Sequence, residues 1–338
     1  MTNFFVKTPL IEYKFWSSLA KNSTAKFLLK YEFLQPSGSF KSRGIGHLIH
    51  KRVKNIKSLK IPHVFASSGG NAGLAAAVAS RQLSIPCSVV IPTKTKRRMI
   101  NKIKNTGASV IVHGDHWKDC DTFLKDNILK GVDRSLIEPI YVHPFDDPLI
   151  WEGHSGIIEE LIASLKEADI SLNRVKGIVC SIGGGGLYNG LVMGLERYGL
   201  AHKIPIVGVE TNGCHVFHES LKKGSLVEFK EIQTIATSLG TANISRATLN
   251  FAKKYKSKSI VLKDSDVLDT CLKFSNDNNL IVEPACGAAL HIGYNPNLLT
   301  QVLGQDLSSN DIILIIACGG SSTSFSDLEN LRNHFIAG

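Results

Sequence analysis

No run of apolar residues in this 338-residue chain approaches the roughly 18 that a membrane-spanning helix needs. The N-terminus, MTNFFVKTPLIEYKFW, lacks a basic stretch followed by an apolar core, so it does not read as a secretory signal. The expected compartment is the cytoplasm, with mitochondria as the alternative. Cysteine is sparse and scattered: Cys87, Cys120, Cys180, Cys214, Cys271, Cys286 and Cys318. None stands in a C-x-x-C pair and their number is odd. That argues against a disulfide framework or a zinc site and fits a reducing compartment. His113 and His116 lie near Asp115 and Cys120, but that stretch reads as a helix start after a strand. Aromatics make up only 7% of the chain and do not interleave with basic residues. The net charge of +10 therefore reads poorly as a nucleic-acid surface. Its densest cluster, Lys94 to Arg98 with Lys102 and Lys104, carries Met99, Ile100 and Ile103 at helical spacing and reads as a solvated helix face. A general anion-attracting field is the simpler account of the excess charge. Internal repeats, low-complexity tracts and linkers are also missing.

Hydrophobic residues make up 43% and charged residues 20%, the balance of an ordinary globular protein. Short β-rich runs alternate with helical patterns. Strands are expected at 27–31, 63–66, 88–91, 109–112, 140–142, 177–181, 206–210, 259–262 and 312–317. Helices are expected from about Lys41 and at 71–83, 95–105, 116–130, 150–167, 186–198, 245–256, 265–278 and 324–335. This alternation implies an α/β fold with parallel, doubly wound sheets. The turn-rich His143-Pro144-Phe145-Asp146-Asp147-Pro148 marks a boundary, and a second lies near Lys41. Residues 42–146 then form a small inserted α/β domain, and 1–41 with 147–338 the large one. A cleft between them is the expected ligand site.

Four stretches could carry chemistry. PSGSFKSRGIG, residues 36–46, places Lys41 beside Phe40 in a loop of small turn residues that lets a backbone approach a ligand. Ser181-Ile182-Gly183-Gly184-Gly185-Gly186-Leu187 follows an apolar strand and opens a helix. Successive N–H groups there make an anion nest, and a tight turn alone needs one or two glycines rather than four. It is neither a dinucleotide fingerprint in the usual sense nor a P-loop, since no Gly-Lys-Ser/Thr closes it. Ser67-Ser68-Gly69-Gly70-Asn71-Ala72-Gly73 offers a second N–H cradle, suited to a carboxylate. Cys318-Gly319-Gly320-Ser321-Ser322 follows the apolar strand 312–317, where ligands of open α/β sheets bind. Lys41 is not a P-loop lysine, because Phe40 stands where that motif needs glycine. A lysine with an aromatic neighbour and a separate phosphate nest fits a Schiff-base lysine holding pyridoxal phosphate.

PSGSFKSRG, SSGGNAG, GGGGL, EPACGAAL and CGGSS, in this order and spacing, resemble the serine/threonine dehydratases of the fold-type-II, tryptophan-synthase-β-like pyridoxal phosphate enzymes. The resemblance runs from Thr8-Pro9-Leu10 to Cys318-Gly319-Gly320 and is strongest to the short catabolic enzymes of fungi and animal liver. The chain ends about 20 residues after Cys318, which leaves no room for the regulatory region of the longer biosynthetic enzymes. The resemblance implies two doubly wound open sheets, with Lys41 forming the internal aldimine and later removing the substrate Cα proton. Phe40 would pack on the cofactor ring and Asn71 would meet its hydroxyl. Gly183, Gly184, Gly185, Gly186 and Leu187 would bind the phosphate, and Cys318 would face the pyridine nitrogen. Ser68, Gly69, Gly70 and Asn71 would cradle the substrate carboxylate. It further implies a potassium ion or similar monovalent cation near Glu210, Cys214 and Leu239, and a homodimer. The substrates would be small amino acids, L-serine and also L-threonine, with neither nucleic acid nor membrane as a partner.

A thiol has a reference pKa of about 8.5, so Cys318 would not enforce a charged pyridinium as an aspartate would. That suits elimination better than transamination. Serine racemases of the same fold carry a serine hydroxyl where Gly69 stands here, and glycine has no proton to give. Cysteine synthases carry a different asparagine loop, commonly with threonine and without the double glycine. Intact Lys41, the glycine nest and Cys318 argue against a regulator that has lost its catalysis.

Overall fold

Ile312–Ala317, IILIIA, is a strand in which every residue is buried, as a parallel strand covered on both faces must be. It is an interior strand of a six-stranded sheet in the computed structural model, which describes residues 4–15 and 25–337. The strands are β1 (Leu10–Glu12), β2 (Lys26–Tyr31), β3 (Ile61–Ala66), β4 (Cys87–Ile91), β5 (Ser109–Val112), β6 (Ile137–Val142), β7 (Val175–Ser181), β8 (Ile206–Thr211), β9 (Lys258–Leu262) and β10 (Ile312–Ala317). The helices are α1 (Lys41–Lys54), α2 (Asn71–Gln82), α3 (Arg97–Lys104), α4 (Trp117–Phe123), α5 (Pro148–Glu167), α6 (Gly186–Arg197), α7 (Val216–Lys223), α8 (Arg246–Lys254), α9 (Asp264–Asn278), α10 (Pro284–Tyr294), α11 (Asn297–Leu303) and α12 (Phe325–Ala337).

The chain divides into two compact units. One comprises Leu34–His154 with the N-terminal residues up to Val6, and the other comprises Lys7–Phe33 with the chain from Ser155 onward. The first holds a four-stranded sheet in the order β5-β4-β3-β6, parallel throughout. Strand periodicity sorts its core. Val64, Ala66, Val89, Ile91, Ile140 and Val142 pack with Ile45, Leu48 and Ile49 of α1, the alanines of α2, and Met99 and Ile103 of α3. Their neighbours Phe65 and Val90 point the other way, onto Cys120 and Leu124. The basic cluster on α3 is solvated, with Arg97, Arg98 and Lys104 exposed while Met99 and Ile103 are buried.

The second unit holds the six-stranded sheet, order β1-β2-β10-β7-β8-β9. It is mixed rather than wholly parallel, because β1 pairs antiparallel with β2 at the edge, Leu10 opposite Lys30. Three residues are too few for a periodic signal, so the sequence reading misses β1. It also misses α7, α11 and α10. The last packs on β7, β8 and β10 and is buried at nearly every position, so it shows no polar face and no amphipathic period. The helix expected over 116–130 is α4 followed by a π-turn at Leu124–Ile128 and a 3-10 turn at Leu129–Gly131. His113 stacks on Phe123 at 3.9 Å. All seven cysteines are buried free thiols. Among the described residues no helix is long and apolar enough to cross a membrane.

Candidate active site

Lys41 is the first residue of α1, directly after Phe40. Its Nζ lies 5.0 Å from the Phe40 ring centroid and donates to the Pro144 carbonyl at 3.0 Å. The turn that reads as a boundary in the sequence, His143 to Asp147, thus supplies a partner for the lysine. His143 is fixed in that turn. Its Nδ1 accepts from the Phe145 and Asp146 amides at 3.2 and 2.7 Å, so its proton sits on Nε2. Burial pushes its pKa down to about 4, with the charges of Lys125 and Lys41 adding to that and Asp121 and Asp147 opposing it. His154 packs against the Phe40 ring at 4.9 Å and fills the space beside Gly44. It is buried, and burial followed by the charges of Lys41, Arg43 and His47 holds it neutral. Neither His143 nor His154 carries a local sequence signal that separates it from the other histidines.

The Ser67–Asn71 turn joins β3 to α2. Gly70 is the residue before α2, and no side chain caps that helix. The Gly70 amide donates to Ser68 Oγ at 3.3 Å. A Cβ on Gly69 would fall 2.4 Å from Thr95 Oγ1, and one on Gly73 would fall 1.8 Å from the Ser68 carbonyl oxygen. A Cβ at Gly73 would meet backbone, one at Gly69 would have to displace the Thr95 side chain, and the turn presents uncapped N–H groups of a helix start. Behind it, Ser67 Oγ accepts from Trp117 Nε1 at 3.2 Å and donates to Asp121 Oδ1 at 2.7 Å. Tyr141 donates to the same oxygen at 2.6 Å, and Lys125 pairs with Asp121 Oδ2.

In the second unit, Ile182 to Gly185 connect β7 to α6, and Gly186 is the first residue of the helix. Gly185 has φ +97° and no side chain caps the helix, so its first-turn N–H groups are left to the loop. Gly183 packs on Leu239, and a Cβ there would be 3.2 Å from the Leu239 Cα. Ser181 Oγ at the strand end donates to the Ala285 carbonyl of α10 at 2.5 Å. Cys318 is buried after β10. Its hydrogen bond to Cys286 and its burial, with the Glu283 carboxylate nearby, hold its thiol well above the ordinary range, so it is a neutral thiol. Glu283 accepts from Ser322 Oγ at 2.6 Å and lies against Gly320, so the turn after Cys318 is tied to the start of α10. Glu210 is buried and accepts from the Phe217 and His218 amides, both at 2.8 Å. Burial pushes its pKa up to about 8. Thr211 Oγ1 lies 3.2 Å from Cys214 Sγ, and the buried Thr241 Oγ1 has no hydrogen-bond partner among the described residues.

The sequence-derived residues thus fall in two sets. Phe40, Lys41, Ser68, Gly69, Gly70 and Asn71 lie in the first unit, and Gly183 to Leu187, Glu210, Cys214, Leu239 and Cys318 lie in the second. A helix start with uncapped amides and a glycine at positive φ whose Cβ position is taken by Thr248 suit a phosphate, and a lysine at a second helix start suits a carbonyl cofactor. The family model for pyridoxal-phosphate dependent enzymes matches residues 1–319. The chain belongs to that family. It is 60% identical over 331 residues to the catabolic L-serine/threonine dehydratase of Saccharomyces cerevisiae, covering 97% of this chain and 91% of that one. It is 38% identical over 329 residues to the L-serine dehydratase of Dictyostelium discoideum, covering 96% and 91%. Among solved structures, the fungal L-serine ammonia-lyase from Rhizomucor miehei superimposes with a TM-score of 0.86 at 33% identity, covering 98% of both chains. Maize serine racemase shares the fold, with a TM-score of 0.78 at 21% identity. The fold class read from the sequence, two open α/β sheets of the fold-type-II kind, agrees with these matches.

Proposed function

We propose that this protein is an L-serine/L-threonine ammonia-lyase. It would eliminate water from L-serine to give pyruvate and ammonia, and from L-threonine to give 2-oxobutanoate and ammonia. The observation that carries the reading is Lys41 at the start of α1 beside Phe40, in a chain 60% identical to a catabolic serine/threonine dehydratase.

When bound, pyridoxal phosphate supplies a covalent hold on the substrate amine and a sink for electrons at Cα. The N–H groups of Gly183 to Gly186 and Leu187 would hold the phosphate, Asn71 would meet the ring hydroxyl, Phe40 would pack on the ring and the neutral Cys318 would face its nitrogen. Ser68, Gly69, Gly70 and Asn71 hold the substrate carboxylate. The free Lys41 amine takes the Cα proton. The β-hydroxyl would leave as water, gaining in net the proton that Lys41 took, as the Cα–Cβ double bond forms, and the released enamine would take up water to give the keto acid and ammonia. Glycine at position 69 favours this over racemisation, since it has no proton to give and a Cβ there would press on the Thr95 side chain. A potassium ion near Glu210, Cys214 and Leu239 would lie beside the buried Glu210 carboxyl and favour its ionised form. A cytoplasmic homodimer acting in amino-acid catabolism and gluconeogenesis completes the reading.

The test is pyruvate release from L-serine, and 2-oxobutanoate release from L-threonine, with pyridoxal phosphate and potassium present. Wild type should be active and Lys41→Ala slower by at least roughly 10³-fold. A folded, cofactor-loaded wild type that releases neither acid would overturn the assignment.

A further inference from the structure

Beneath the glycine loop, three buried polar side chains close a hydrogen-bonded ring. Asn189 Nδ2 donates to Ser245 Oγ at 3.2 Å, Ser245 Oγ lies 3.0 Å from Thr248 Oγ1, and Thr248 Oγ1 donates to Asn189 Oδ1 at 2.9 Å. All three are at most 4% exposed. The directions are forced. Asn189 Nδ2 can only donate and its Oδ1 can only accept, so the Ser245 proton must go to Thr248 and the Thr248 proton to Asn189. Ser245 Oγ also accepts from the Thr248 amide at 3.2 Å as the cap of α8. Both hydroxyl protons are thus committed within the ring, so neither is available to a ligand.

The ring touches the loop at successive residues. The Ser245 amide donates to the Gly184 carbonyl at 3.0 Å. Thr248 Oγ1 occupies the place a Cβ on Gly185 would take, 1.9 Å away, and Gly185 is the residue at φ +97°. Asn189 sits in the first turn of α6, its amide donating to the Gly185 carbonyl at 2.8 Å. The Gly184 and Gly185 carbonyls are therefore engaged on the ring side.

We propose that Asn189, Ser245 and Thr248 are positioning residues for the phosphate group of the cofactor. They touch neither phosphate nor substrate. They hold the backbone of Gly184 and Gly185 so that the loop N–H groups converge before the phosphate arrives, which lowers the ordering cost of binding. This rests on the assignment of the glycine loop to phosphate.

The test compares pyridoxal phosphate with pyridoxal, which can react with Lys41 but has no phosphate. Each is titrated into cofactor-stripped full-length protein and followed by absorbance. Wild type should prefer the phosphorylated form strongly, and a wild type without that preference would overturn the loop assignment itself. Thr248→Val keeps the shape and opens the ring. It should weaken pyridoxal phosphate binding roughly tenfold while pyridoxal binding stays within about twofold, and Thr248→Ser should restore the difference. Equal weakening of both ligands, or no change in either, would overturn the positioning role. If Thr248→Val does not fold, Ser245→Gly removes the central oxygen at little cost to the helix cap, and the same two outcomes decide.

Discussion

The Ser67 hydroxyl and the Asp121 carboxylate are joined by a 2.7 Å hydrogen bond that ties the end of β3 to α4, with Ser67 fully buried. Ser67 immediately precedes the turn proposed to hold the substrate carboxylate, so Asp121 braces that turn through Ser67. Asp121→Ala would leave Ser67, Tyr141 and Trp117 to rearrange. Hydrogen bonds to charged groups contribute about 1.5–3 kcal/mol. The expected outcome is a tenfold to hundredfold loss in kcat/KM for L-serine, about 1.4 kcal/mol per factor of ten, carried mainly by KM. Cofactor affinity should be unchanged. Steady-state kinetics beside a cofactor titration checks this, and an unaltered KM would remove Asp121 from any role at the turn.

Gly185→Ala should damage both stability and cofactor binding. An L-residue in the left-handed region costs about 1–2 kcal/mol, and the new methyl would also collide with Thr248. Thermal unfolding of the stripped protein should show a lowered midpoint. The cofactor should bind more weakly by a larger factor than at Gly199. That glycine also has positive φ, but none of the described residues lies within 4 Å of a Cβ there. Equal effects at the two glycines would mean that backbone strain alone is at work.

These two sites also show what can be read from sequence. The glycine turns are legible because positive φ and close approach leave glycine as the only fit, a constraint that acts within a few residues. β10 is legible because a strand buried on both faces is apolar throughout. The supports behind the site are not legible. Asn189 lies 56 residues from Ser245, Ser67 lies 54 from Asp121, and Lys41 lies 103 from Pro144. Each partner is an ordinary polar residue or a backbone carbonyl, and only the fold brings it into reach. α10 hides for another reason. Its residues are buried on every side, so no amphipathic pattern separates it from a loop motif.

Glu210 gives a test of the cation. Burial raises its pKa to about 8, so the folded chain holds a proton there that the unfolded chain, near 4.5, has lost. That contribution to stability is present at low pH and is lost as pH rises from about 4.5 to about 8. A potassium ion bound beside the carboxylate would reverse the loss by favouring the ionised form, and binding to the folded state alone stabilises it by mass action. The midpoint of thermal unfolding should therefore rise with potassium more at pH 8 than at pH 6. Glu210→Gln should abolish the response. A potassium effect that persists in that variant would put the ion elsewhere.

Acid should destabilise the first unit through His143. Two backbone amides donate to its Nδ1, so the ring cannot take a second proton without losing both, and burial works in the same direction. The folded pKa of about 4 lies below the unfolded value near 6.5. Between those values the unfolded chain binds more protons. The stability is thus fully present above about pH 6.5 and is lost as pH falls toward 4. Lys41 and Lys125 deepen the shift, while Asp121 and Asp147 oppose it. One such histidine gives a slope of at most about 1.4 kcal/mol per pH unit. His154, whose folded pKa is also lowered, adds to it in the same direction. Asparagine at position 143 can accept the same two amides through its side-chain oxygen and cannot titrate. Urea unfolding at pH 5, 6 and 7 should show His143→Asn with a shallower pH slope than wild type and near-equal stability at pH 7. If the slopes coincide, the amides do not hold the imidazole neutral, and the acid sensitivity belongs to other groups.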